Sequence, residues 1–450
     1  MMLARAGRST AALKRSFATT VDAAGVSVAA VDHGQPTTAV TVLVKAGSRY
    51  ETQQELPICS RTLRSRQVTT SQRSALRTVR EAELYGGVLS STLTREHLAI
   101  TAEFLRGDEL SFIARPHFVD LLSSVVTSTQ FLPHEFAEDV VPHSIAETTA
   151  ALANPSAQAL ELAHTIAFRS TGLGASLFAQ HPSKNDLEAL KEFAKSAFTK
   201  SNVAVIGTGI DSSKLSELVS KHLSGLPSFA GAGTKGSSSQ YFGGETGLGR
   251  RVGTRCLSAL VLLLGHLNYR PSNPISTALP RIYPILDAAL FGVLVSGNNV
   301  AADTKTAVAA LKKGLSKEEA TKAVSKAKFK AASALEAREG LVAAVAPQVF
   351  GGSTSSLDSF HAALDKVSEA SVSKTLSSLL GAKPTFVAIG DVMRFHMLMS
   401  SASELLETGS KNLRGVFEDV TSDTHRSVFA TKTHHTTLTA GWHYMPRIQL

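Results

Sequence analysis

Alternation of apolar and polar side chains is sharpest in Thr37 to Lys45 and in His97 to Leu105, and each run reads as a half-buried strand, the first leading to Gly47. Between Pro133 and Phe168 the period changes. Ala, Leu and Glu recur at helical spacing until Asn154-Pro155 interrupts them, which predicts two helices joined by a tight turn. A further helix is predicted over Asn185 to Phe198, feeding a strand at Asn202 to Ile206. Strands, then helices, then a closing strand make an α+β unit of about two hundred residues.

The unit recurs. Leu132-Pro133-His134-Glu135 corresponds to Leu315-Ser316-Lys317-Glu318, and Val203 to Gly207 corresponds to Phe386 to Gly390, both at an offset of 183 residues. Between these markers both copies carry an Ala-rich helical region of equal length. Upstream, the strand ending at Gly107 matches Ala288 to Gly297, the first copy taking seven more residues to reach its helix. A period this long is a domain duplication and not a solenoid repeat. Ser224 to Gly247 is dominated by Gly and Ser and separates the copies as a linker. Gly231 to Ser237 lacks the Gly-Lys-Ser/Thr ending of a phosphate loop, and Gly207-x-Gly209 has Ser212 where a dinucleotide fingerprint needs its third glycine. The predicted organisation is a leader (1–17), a first domain (18–225), a linker (226–246), a second domain (247–391, with 247–286 aberrant) and a tail (392–450).

The chain's 450 residues exceed one compact core, and 43% hydrophobic against 18% charged content excludes a disordered chain. No apolar run reaches the roughly 18 residues of a membrane-spanning helix. Cys59 and Cys256 offer neither a disulfide framework nor a metal knuckle. The tail differs in character: it holds four of the six Met, the only Trp and five of the fifteen His, and is expected to be disordered; its His434-His435 pair is read as part of that tail.

Net charge is +9, but the excess is confined to three acid-free stretches. The leader carries Arg5, Arg8, Lys14 and Arg15; residues 57–70 carry Arg61, Arg64 and Arg66; residues 247–286 carry Arg250, Arg251, Arg255, Arg270 and Arg281. The rest of the chain is at −3, which argues against a nucleic-acid partner. The leader has the Arg- and Ser-bearing, acid-free composition of a mitochondrial transit peptide. Arg15-Ser16-Phe17-Ala18 resembles a matrix-protease cleavage region, so Arg15, Phe17 and Ala18 mark the expected site and the mature chain is expected to begin near Ala18.

Gly47-Ser48-Arg49-Tyr50-Glu51, Gln72-Arg73-Ser74-Ala75-Leu76, Glu83-Leu84-Tyr85-Gly86-Gly87 and Thr94-Arg95-Glu96 follow one another in the first copy. In that order they resemble the mitochondrial processing peptidase-like (pitrilysin-type) family of two-domain zinc proteases. The resemblance covers residues 18 to about 245 and 287 to 391, except 57–70 and roughly 108–117. It implies two homologous α+β domains, each an antiparallel-rich sheet covered by helices on one side. Active members carry a His-x-x-Glu-His helix soon after the first motif, with a distant Glu completing the zinc site. Here residues 56–70 contain neither His nor Glu. The nearest approach, Leu93-Thr94-Arg95-Glu96-His97, has Leu for the first His and lies at a strand, while Glu147 falls near the distal position. His134, Glu135 and His143 read as helix-surface residues.

No catalytic, metal-binding or cofactor-binding residue is therefore expected, and no cofactor. The resemblance implies a non-catalytic scaffold of the kind this family contributes to ubiquinol–cytochrome c reductase, on the matrix side of the mitochondrial inner membrane. The implied partners are a sister core protein, cytochrome b, a cytochrome c-type subunit and the iron–sulfur protein. The alternative is a presequence-processing subunit, active or substrate-binding, whose zinc motif would have to lie where 57–70 stands. Segments 57–70, 108–117 and 247–286 and the tail depart from the family's pattern and are read as gene-model errors. Genuine divergence, the other reading, would leave the second domain short of strands.

Overall fold

Both residues of the Ala24-Gly25 turn take positive φ, 55° and 87°, and the Asp22 carboxylate accepts the Gly25 N–H at 2.7 Å. A two-residue turn of that hand suits the twist of paired strands, so the described chain opens on a hairpin of β1 (Thr19–Ala23) and β2 (Val26–Val31). The computed structural model describes residues 19–32, 36–51, 69–105, 117–179, 186–228, 239–249, 258–267, 289–297, 316–351, 357–380 and 384–390. These all belong to the unit ending at Phe395; the unit from His396 onward, and with it the predicted tail, lies outside them.

The hairpin is the edge of a six-stranded sheet completed by β3 (Thr37–Val44), β4 (Val88–Leu93), β5 (Leu98–Leu105) and β6 (Val203–Thr208), in the order β1-β2-β6-β3-β5-β4. Only β2–β6 is parallel. The helices are α1 (Ala75–Leu84), α2 (His117–Thr127), α3 (Val141–Ala153), α4 (Pro155–Ala167), α5 (Leu187–Ala197), α6 (Ser212–His222), α7 (Lys317–Glu336), α8 (Arg338–Gly351), α9 (Leu357–Asp365) and α10 (Glu369–Leu380). Asn154 breaks the predicted helical stretch in extended conformation and caps α4 by accepting the Ser156 N–H at 3.0 Å. Pro142 removes a backbone donor at the start of α3, and the preceding Phe136–Val140 widens into a π turn. In the second copy Ser325 occupies the matching place, and α7 runs unbroken from a Ser316–Glu319 capping box.

A second sheet, in the order β7-β10-β8-β9, contains β7 (Gly244–Gly249), β8 (Ser258–Leu267), β9 (Ala289–Gly297) and β10 (Thr385–Gly390). Its pairing repeats the centre of the first: β7 is parallel to β10 as β2 is to β6, and β8 lies antiparallel between β10 and β9 as β3 does between β6 and β5. The duplication read at an offset of 183 holds element by element, α4 against α8, α5 against α10 and β6 against β10. Among the described residues the second sheet has no counterpart of β1 or β4.

Two segments differ from the sequence reading. Residues 247–286, read there as aberrant and departing from the family's pattern, supply β8; Ser-Ala-Leu-Val-Leu-Leu-Leu does not alternate, and an unbroken apolar run suits a strand packed by other elements, here α4 and α10. The linker's last residues, from Gly244, join β7, and just before them Phe242 donates its N–H to Ala167 O at 2.8 Å and Tyr241 Oη meets Thr385 Oγ1 at 3.0 Å. Of the other stretches singled out, 57–70 and 108–117, residues 57–68 and 108–116 lie outside the described residues.

Alternation in the strands prepares two apolar faces. Val40, Val42 and Val44 on β3 and Val203 and Val205 on β6 form one core with Phe118 and Leu122 of α2, Leu190 and Phe193 of α5, and Leu215 and Val219 of α6. Leu43, Ala204, Ile206, Ala29 and Val31 point the other way and meet Leu341, Val345 and Val349 of α8, a stripe at helical spacing. The reciprocal contact is made by α4, whose Ala159 and Ala163 pack with Leu290, Val387 and Ile389 of the second sheet. Each sheet is therefore covered on one face by the equivalent helix of the other copy. Burying one Leu or Val side chain contributes roughly 2 kcal/mol, so the three α8 positions alone tie the copies firmly.

Candidate functional site

The motif residues gather where β3 ends. Gly47 approaches the β4–β5 turn so closely that a Cβ there would lie 2.3 Å from the Arg95 carbonyl carbon and oxygen. Its N–H donates to Glu96 O at 3.2 Å, and the Arg49 N–H donates to Arg95 O at 2.9 Å. Ser48–Tyr50 form a short 3-10 turn, which turns Arg49 inward so that its Nη1 meets Glu96 Oε1 at 2.8 Å; the two side chains are 8% and 5% exposed.

The β4–β5 turn is held by Thr94, whose hydroxyl accepts the N–H groups of Glu96 and His97 and donates to His97 O. Its successive side chains then diverge. Arg95, 4% exposed, reaches Glu161 of α4 at 2.9 Å, while the second Glu161 oxygen accepts Leu177 N–H at 3.2 Å and the Ser176 hydroxyl at 3.4 Å. Among the described residues the buried Nε and Nη1 of Arg95 have no hydrogen-bond partner. Glu96 takes Arg49. His97 packs on Phe350 of α8 with ring centroids 5.3 Å apart, and Lys45 lies 4.7 Å over the same ring. Burial pushes the His97 pKa down to about 4, with the Lys45 and Arg49 charges acting in the same direction. His164 on α4 is pushed down to about 3, chiefly by burial and then by the Arg95 charge.

One tetrapeptide thus fastens the first sheet to the opening motif, to α4 on the second sheet and to α8 from the second copy. Chemically it is spent: Glu96 neutralises Arg49, and Leu93, Glu96 and His97 sit on a strand end and turn. A helix is what brings side chains at that spacing onto one side around a metal.

The other motif residues also serve the scaffold. Ser74 caps α1 by accepting the Arg77 N–H at 3.3 Å. Arg73 clamps α1 to α2, through Glu81 at 2.8 Å and Asp120 at 2.7 Å. Gly86 has φ of +67°, and a Cβ on Gly87 would lie 2.1 Å from the Phe118 ring. Glu147, near the distal-ligand position, faces His143 one turn earlier at 3.5 Å. Glu135 does more than sit on the surface: it accepts the Thr69 N–H at 3.2 Å and the Thr69 hydroxyl. Among the described residues no three His, Cys, Asp or Glu side chains converge as a metal site. Arg15, Phe17, Ala18, Cys59, Cys256, His434 and His435 lie outside those residues. The Arg95–Glu161 pair was missed from sequence, since two charges 66 positions apart carry no local signal.

Three comparisons bear on this arrangement. Residues 27–181 match the family described as Insulinase (Peptidase family M16). The chain is 40% identical to the mitochondrial cytochrome b-c1 complex subunit 2 of Cryptococcus neoformans, over 86% of this chain and 94% of that protein. It is 33% identical to the subunit of the same name in Neurospora crassa, over 82% of this chain and 87% of that one. Among solved structures a protease from Helicobacter pylori aligns with a TM-score of 0.70, at 14% identity, over 83% of this chain and 98% of that one, a likeness of fold.

Proposed function

We propose a structural, non-catalytic role for this chain, which belongs to the family of mitochondrial cytochrome b-c1 complex subunit 2 proteins and carries an M16 peptidase-type fold. It is a core subunit of ubiquinol–cytochrome c reductase, respiratory complex III, and supports assembly and stability of a complex whose redox chemistry other subunits perform. The observation that carries this reading is 40% identity across 94% of a relative bearing that name. The geometry agrees with it, because the charged residues of the family motifs are paired with one another inside the fold. A zinc peptidase would need paired imidazoles after Glu51, and residues 52–68 contain no His.

The subunit is peripheral to the inner mitochondrial membrane on its matrix side; among the described residues no helix is long and apolar enough to cross a bilayer. Its neighbours are other subunits of the complex, and we assign these as the sister core protein, cytochrome b, the cytochrome c-type subunit and the iron–sulfur protein. Removal of residues 1–17, with Arg15, Phe17 and Ala18 marking the cleavage region, is part of the same proposal and is supported by the leader's acid-free, arginine-bearing composition. No residue is assigned a catalytic, metal or cofactor role.

The test is affinity purification of the tagged chain from gently solubilised mitochondria. Cytochrome b and the cytochrome c-type subunit should co-purify in constant proportion. Recovery of the chain without either, alongside a presequence-cleaving activity, would overturn the proposal.

A further inference from the structure

Helix α7 carries a surface that neither the fold nor its pairing explains. Ala331 and Leu335 on one side are buried against α8 and α9, and Lys328 is engaged with Asp365 of α9. On the opposite side Lys322, Lys326 and Lys330 recur every fourth residue and are exposed, with Phe329 beside them 73% exposed. Four-residue spacing puts the three ammonium groups on one face, along roughly 12 Å of helix at 1.5 Å per residue. Between Glu319, which closes the capping box, and Glu336 at the far end, α7 contains no acid, and none of the three lysines forms an ion pair among the described residues.

The duplication supplies a control. At the offset of 183, the positions of Lys322, Lys326 and Lys330 are Asp139, His143 and Glu147 in the first copy, and Phe329 corresponds to Ala146. The same helix position is therefore built with two acids and a histidine in place of the three lysines and with Ala in place of Phe, so packing does not demand a basic face. The composition also selects the occupant. Protein–protein interfaces favour Arg and are depleted in Lys, whereas lysines flanking an exposed aromatic suit a headgroup layer, with flexible ammonium groups over phosphates and the ring at the acyl boundary.

We propose that the α7 face of Lys322, Lys326, Phe329 and Lys330 docks on an anionic phospholipid surface. The contact adds a direct lipid attachment to a chain otherwise held at the membrane by other subunits. It acts through charge density and one shallow aromatic contact, and it weakens with salt.

The test uses the chain from Ala18 onward, which keeps every described element and drops the basic leader. Sedimentation with phosphatidylcholine vesicles is compared with vesicles containing one-fifth phosphatidylglycerol, at low and high salt. Binding should be confined to the anionic vesicles, fall about 100-fold in the triple variant K322Q/K326Q/K330Q, and fall severalfold in F329A, with circular dichroism of both variants unchanged. Equal binding by wild type and triple variant, or no preference of the wild type for anionic vesicles, overturns the proposal. So does a triple variant that binds vesicles normally but no longer joins the other subunits, which would assign the face to an acidic protein.

Discussion

Replacing Glu161 by Ala strands the most completely buried guanidinium of the β4–β5 turn. Arg95 is 4% exposed, and among the described residues its Nε and Nη1 are unpartnered and the Glu161 carboxylate is its one hydrogen-bonding counter-charge. Removing one member of a buried pair costs about 3–5 kcal/mol, because the remaining charge stays desolvated. The reverse change is milder. In R95M the Glu161 carboxylate keeps the Leu177 N–H and the Ser176 hydroxyl and is itself 14% exposed, so about 1–2 kcal/mol is expected. The double variant R95M/E161Q, neutral on both sides with an amide oxygen still there to accept the Leu177 N–H and the Ser176 hydroxyl, should return to within about 1 kcal/mol of wild type. At about 2 °C per kcal/mol for a chain this large, thermal unfolding followed by circular dichroism should fall about 8 °C in E161A and about 3 °C in R95M, with recovery in the double variant. Equal losses in the single variants, or a double variant as unstable as their sum, would refute the pair's role in tying α4 to the first sheet.

Two other outcomes follow from the same geometry, and a third from the composition of the leader. Gly47→Ala forces a methyl against the Arg95 backbone and should cost about 3 kcal/mol in urea unfolding, whereas Gly86→Ala, which meets nothing within 4 Å and is strained only in φ, should cost about 1 kcal/mol. His97 is held neutral, with a folded pKa of about 4 against 6.5 unfolded, so the unfolded chain binds the extra proton first. Stability should fall as pH drops from 6.5 towards 4, by up to about 3 kcal/mol from this group, and level off below; H97N should flatten that part of the curve. N-terminal sequencing of the protein recovered from mitochondria should begin near Ala18; an intact Met1 would refute the cleavage assignment.

Much of the fold was legible because its signals are local. The alternating runs became β3 and β5, Asn154-Pro155 parts α3 from α4, and the offset of 183 ordered the helices and closing strands of both copies. The hairpin of β1 and β2 was passed over, since its signal is one Ala-Gly turn between short strands. The uniformly apolar β8 was not recognised because it has no alternation. What the sequence could not carry is the exchange of α4 and α8 between sheets. A helix's apolar stripe says that it packs, and Leu341, Val345 and Val349 would serve equally against either sheet. The motif residues were legible as a family signature, but their partners were not: Arg49–Glu96 and Arg95–Glu161 close over 47 and 66 residues.

The most direct test of the structural role is loss of the chain from its own cells. Mitochondria lacking it should lose assembled ubiquinol–cytochrome c reductase, seen as missing complex on native gels and a diminished cytochrome b spectrum, while imported matrix precursors are still trimmed to mature size. Precursors accumulating uncleaved beside a fully assembled and active reductase would contradict it.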